Sequence, residues 1–94
     1  MSPAVTIIPL ALRKMSLRGI PERWVEETLR SPDETVPGYG NRLVAQKVYV
    51  VNQKTMVLRV VYEREKAKAN KDYVVVTAYL TSQVERYRRK THGD

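Results

Sequence analysis

The sequence predicts an α+β fold in which two N-terminal helices pack on an antiparallel β-sheet and a short basic C-terminal helix closes the chain. Three observations lead there. Apolar residues recur mostly at helical intervals between Leu10 and Leu29, and three runs rich in valine and tyrosine follow between Leu43 and Leu80. The links joining those runs favour an antiparallel meander. Ninety-four residues suit one domain with a single core. We place that domain over 1–94, with its core at 10–87 and a basic tail at 88–94.

The first helix is predicted over 10–18 and the second over 21–30. Gly19 stands just past the end of the first, and Pro21 suits the first turn of the second. Glu22, Glu26 and Glu27 lie near the positive end of that second helix, and Ser31-Pro32 ends it. Residues 31–42 form a loop by composition, punctuated by Pro32, Pro37, Gly38 and Gly40. Strands are predicted over 43–51, 56–63 and 73–80. Ser82 and Glu85 then have the spacing of a capping box ahead of the basic C-terminal helix.

Arg59 poses a question, because it stands in the middle of the apolar run TMVLRVVYE and arginine is rarely buried without a partner. If Asn52-Gln53-Lys54 is a three-residue link, Val51 pairs with Thr55 and Lys47 shares a face with Arg59. The opposite face then carries Val44, Val48, Val50, Met56, Leu58, Val60 and Tyr62 as its core. A two-residue turn would shift the register by one and mix Lys47 with Met56, Leu58 and Val60. The first arrangement leaves fewer charges inside. It predicts a cationic, solvent-facing surface centred on Lys47, Tyr49, Arg59, Thr77 and Tyr79, away from the helices.

Composition limits the chemistry. The chain has no cysteine and a single histidine, His92, so disulfides, thiolate metal sites and a histidine acid/base pair are all excluded within one chain. No metal or other cofactor is expected, and a reducing cytoplasm is the natural setting. No apolar run approaches the roughly 20 residues of a membrane span. The net charge of +7 is asymmetric. Residues 1–38 hold five basic and five acidic residues, whereas residues 39–94 hold twelve and five. A basic half beside a neutral half fits an anionic partner, either nucleic acid or an acidic protein segment. Cations hold phosphates and tyrosines stack on unpaired bases, so Tyr49, Thr77, Arg88, Arg89 and Lys90 are candidate RNA contacts.

The succession ALRKMSLRGIPERWVEETLRSP, a QKVY strand, LRVVYE and VVVTAYLTSQVERY resembles a small prokaryotic domain family of unknown function. That family is similar in pattern to the BrnT and RelE-like toxins of type II toxin–antitoxin pairs. The likeness runs over about residues 10–87. Members of this kind often carry a histidine before the Ala-x-x-x-Met stretch, where this chain has Leu10. The resemblance implies a RelE-like fold, metal-independent cleavage of RNA, which could be mRNA on the ribosome, and an antitoxin that covers the cationic face.

Such cleavage requires a base for the ribose 2′-hydroxyl, a cation for the phosphorane and an acid for the leaving oxygen. Arg59 is the first candidate for the cation and Arg86 the second; Lys47, Tyr79 and Glu85 are the candidates for proton transfer. The alternative is a non-catalytic module that binds RNA or an acidic protein with the same face. Trp24 reads as packing between helix and sheet, the Gly38-Tyr39-Gly40 stretch as a turn, Ser82 as a cap, and 64–71 as a solvated loop.

Overall fold

The computed structural model describes residues 4–64 and 72–84. Within them the order of elements is β1 (Val5–Ile7), α1 (Pro9–Arg18), α2 (Glu22–Arg30), β2 (Glu34–Pro37), β3 (Leu43–Val51), β4 (Lys54–Arg64) and β5 (Tyr73–Thr81). The five strands form one sheet in the order β1-β5-β4-β3-β2. The α+β class and the two helices hold, although a short strand, β1, precedes them. The sheet, however, is mixed: β1 runs parallel to β5, and the other pairs are antiparallel.

Both strands absent from the sequence reading are short edge strands. β1 has only three residues, too few for a periodic signal, and exists by pairing Val5, Thr6 and Ile7 with Tyr73, Val74 and Val75. β2 lies inside the stretch read as a loop. Its Pro37 is tolerated because an edge strand has one side with no ladder bond to make.

Local chemistry ends the helices as their residues dictate. Gly19 takes φ 70°, a left-handed conformation that costs glycine little, and the Ile20 N–H donates to the Met15 carbonyl at 2.9 Å. α2 starts at Glu22, directly after Pro21, and carries Glu22 in its first turn and Arg30 in its last, each at the end its charge favours. Ala11 and Met15 of α1, Ile20, and Val25 and Leu29 of α2 are buried against Ala45, Leu58, Val60, Tyr62, Val75 and Ala78 of the sheet. Full burial of a side chain such as Leu58 contributes about 1.5 to 3 kcal/mol before its ordering cost.

The hairpin between β3 and β4 corrects the predicted register. Val51 pairs with Lys54, so the link is the two residues Asn52 and Gln53, at φ 52° and 65°. Positive φ at both central residues is the geometry of a type I′ turn, whose twist matches that of the flanking strands. Lys47 therefore faces Leu58, Gln46 faces Arg59, and Ala45 faces Val60. The helix-covered face of β3 carries Leu43, Ala45, Lys47 and Tyr49 in place of Val44, Val48 and Val50. In β5 an irregularity opposite Val61 and Tyr62 leaves Val76 as an extra residue, so Tyr73 and Val75 share the helix side with Ala78 and Leu80. Glu85, Arg86, Arg88, Arg89, Lys90 and the predicted C-terminal helix lie outside the described residues.

Gln53 pays a left-handed penalty that glycine would not. Gln53→Gly should stabilise the fold by about 0.5 to 1 kcal/mol, raising Tm by a few degrees in a thermal melt. Gly19→Ala should lower Tm by roughly 4 to 8 °C for about 1 kcal/mol lost. A lower Tm for Gln53→Gly would contradict the two-residue turn.

Candidate functional site

Two faces of one sheet divide the candidate residues. Lys47 and Tyr49 lie on the helix side and Arg59, Thr77 and Tyr79 on the other, so the cluster expected to unite all five does not form. Lys47 is accommodated because its stem follows the sheet and its Nζ donates to the Ser31 carbonyl at 2.8 Å. Ser31 is the C-cap of α2, the negative end of the helix, where an ammonium is favoured. A lysine among core residues thus finds a fixed partner, which is why the register with fewer inward charges is not the one adopted.

Tyr49 stacks on Trp24 with ring centroids 4.5 Å apart and planes 11° apart. Its hydroxyl donates to Glu27 Oε1 at 2.8 Å, with the Trp24 carbonyl oxygen 3.2 Å away. Trp24 is therefore helix–sheet packing, as its sequence position implied. Burial, together with the hydrogen bond and negative charge of Glu27, pushes the Tyr49 phenol up from 10.0 to about 12, against an opposing hydrogen bond from Thr28.

On the face turned away from the helices, four residues form one row across four strands. Glu34 of β2 pairs with Gln46 of β3, Gln46 with Arg59 of β4, and Arg59 with Tyr79 of β5. Hydrogen bonds link the whole row. Gln46 Nε2 donates to Glu34 Oε1 at 3.3 Å, and Arg59 Nε donates to Gln46 Oε1 at 2.7 Å. Arg59 Nη1 donates to the Tyr79 hydroxyl, and the guanidinium carbon lies 5.6 Å from the Tyr79 ring centroid. Thr77 is opposite Val61 on the same face.

This face is not the bare platform expected from the sequence. Gln46 is 2% exposed, Val44 4% and Val57 0%, while Arg59, Thr77 and Tyr79 are half-buried. Partial burial lowers the local dielectric, so the charge of Arg59 acts more strongly there than on an exposed surface. The arginine of TMVLRVVYE is thus held through two different nitrogens by neighbouring strands.

Glu34 and Gln46 escaped the sequence reading. Glu34 lay in an apparent loop, and Gln46 adjoins Lys47, so a one-residue change of register decides which of the two meets Arg59. Among the described residues no three His, Cys, Asp or Glu side chains converge as a metal site requires. A cavity of about 370 Å³ bordered by Leu12, Met15, Ser16, Ile20, Pro21 and Glu22 lies on the helices, remote from the polar row. Among the described residues no helix is long and apolar enough to cross a membrane.

A helix pair on a five-stranded mixed sheet, with a polar row on the uncrossed face, defines a small α+β domain. The chain belongs to the family described as Domain of unknown function (DUF4258), whose model matches residues 11–80 and so takes in Glu34, Gln46, Arg59 and Tyr79. No curated protein and no solved structure matches it.

The raised phenol has a signed consequence. Its neutral form is favoured by folding, so its contribution to stability is complete below pH 10.0 and is lost as pH rises through about 12. In an alkaline titration followed by phenolate absorbance, Tyr49→Phe should remove a late-titrating component. An unchanged titration would contradict the burial of that hydroxyl.

Proposed function

We propose that this protein is an RNA-binding domain of the RelE/BrnT-toxin type, with Arg59 and Tyr79 meeting a phosphate on the sheet face opposite the helices. The observation that carries this reading is the polar row, which anchors one guanidinium beside a phenol. Arg59 and Tyr79 stand in residues 39–94, the part of the chain that holds the entire net positive charge, twelve basic residues against five acidic. A guanidinium held through Nε and Nη1 presents a defined plane, and planar forks suit phosphate oxygens. Because the Tyr79 oxygen accepts from Arg59, the phenol's own hydrogen points away from the guanidinium and can be donated to an anion.

Binding is better supported than cleavage by the described residues. Lys47 is on the other side of the sheet, and Glu34 is three strand spacings from Tyr79, roughly 14 Å by ordinary sheet geometry. A base and an acid acting on one phosphodiester must both reach it, so neither residue completes a set with Arg59 and Tyr79. Metal-independent cleavage would draw its base from Glu85, outside the described residues. An acidic antitoxin segment carries carboxylates that suit the same fork, which makes it a competitor for the site.

Fluorescence anisotropy with a single-stranded RNA tests this reading. Affinity should fall with salt, with a log–log slope near −0.7 for each phosphate neutralised. Arg59→Lys keeps the charge but cannot hold both anchors, so affinity should fall about tenfold, as expected for losing one charge-assisted hydrogen bond. Tyr79→Phe should give a smaller loss. An absence of RNA binding at low ionic strength would overturn the proposal.

A further inference from the structure

We infer that Gln46, itself oriented by Glu34, is the positioning residue that sets the plane of the Arg59 guanidinium; the inference rests on the anion-binding reading of Arg59 given above. Donor and acceptor chemistry dictates the orientation of the Gln46 amide. An ionised carboxylate only accepts hydrogen bonds, a guanidinium only donates them, and a carboxamide does each with a different atom. Glu34 and Arg59 flank Gln46 on adjacent strands. Only one orientation of the amide satisfies both, with Nε2 toward Glu34 and Oε1 toward Arg59 Nε, and it is the orientation present. A flipped amide would set oxygen against carboxylate and N–H against N–H.

Three features make this a positioning device in place of a casual surface contact. Gln46 is 2% exposed, so its side chain is confined by packing and water competes poorly for its atoms. The 2.7 Å bond is made to Nε, the one guanidinium nitrogen attached to the stem. Fixing Nε restrains rotation of the planar group about the stem, which a bond to a terminal nitrogen alone does less well. The second anchor, from Nη1 to Tyr79, comes from the strand on the opposite side of β4. Gln46 and Tyr79 therefore grip the arginine from either side, and these two bonds set the plane of the guanidinium.

Two variants separate the functions of the amide. Gln46→Met keeps length and apolar packing but offers Arg59 Nε no good acceptor. Gln46→Glu restores an acceptor while placing a negative charge against the guanidinium. The readouts are hydrogen exchange of the Arg59 Nε–H by NMR, its resonance identified by its loss in Arg59→Lys, and affinity for a fluorescein-labelled single-stranded RNA.

In Gln46→Met the Nε–H should exchange at least about tenfold faster and RNA affinity should fall about tenfold, by analogy with loss of other supporting-shell contacts. Gln46→Glu should keep slow exchange yet lose RNA affinity, because the positive charge is neutralised in place. Glu34→Gln, at a half-buried edge position, removes the constraint on the amide's orientation and should speed exchange less than Gln46→Met does.

Wild-type exchange in a folded Gln46→Met protein would overturn the positioning role whatever happens to RNA. If Gln46→Met unfolds, Glu34→Gln decides, and unchanged exchange there overturns the orienting role of Glu34. Faster exchange with unaltered RNA affinity would overturn the link between position and binding. Absence of RNA binding by the wild-type protein would sink the anion-binding reading, with the exchange data still deciding whether Gln46 holds Arg59.

Discussion

The pairing of β3 with β4 is the constraint on which the rest of this structure depends. Side chains alternate between faces with a period of two, so a hairpin longer by one residue would send every side chain of one strand to the opposite face. Asn52 and Gln53 close the link at positive φ, and the consequences follow along both strands. Leu58 and Val60 meet Lys47 and Ala45 beneath the helices, while Arg59 meets Gln46 on the other side. A turn at the edge of the molecule thus determines the partner of an arginine six residues away in sequence.

That register appears unfavourable on a count of inward charges, yet the helices resolve it. α2 ends where Lys47 can reach its last carbonyls, and the Ser31 oxygen receives the ammonium. The same helix presents Trp24 to Tyr49 and Glu27 to the Tyr49 hydroxyl. Residues that looked like a binding surface instead join helix to sheet. Their polar atoms are satisfied by helix ends and side chains, which lets an amphipathic strand face be buried at modest cost.

The other face is organised by strand order. Because β2, β3, β4 and β5 are adjacent, one residue from each aligns in a transverse row, and the row alternates acceptor and donor from carboxylate to phenol. Half-burial strengthens each bond relative to water and makes a missing partner costly. Arg59 is in consequence a structural element of this face, bonded to the strands on both sides of it. If it also meets an anion as proposed above, the same residue serves packing and binding, and the two roles are not alternatives.

Much of the fold was legible without coordinates. Helical periodicity from Leu10 to Leu29, the glycine after the first helix, and three apolar runs with short links determine two helices, three central strands and the antiparallel pairing of those three strands, because these are local signals read within one element or turn. Asymmetric charge and the absence of cysteine limited the chemistry in the same direct way. Of the candidate site, Arg59, Thr77 and Tyr79 were legible as residues of one face; Gln46 and Glu34 were not, and Lys47 and Tyr49 were assigned to the wrong side. Tertiary structure alone decided those points. The edge strands β1 and β2 exist only through their neighbours, and the face of every β3 residue depends on a turn whose two- and three-residue forms the sequence does not distinguish. A local pattern specifies an element, whereas a register is the choice that best satisfies partners distant in sequence, here the end of α2 for Lys47 and the amide of Gln46 for Arg59.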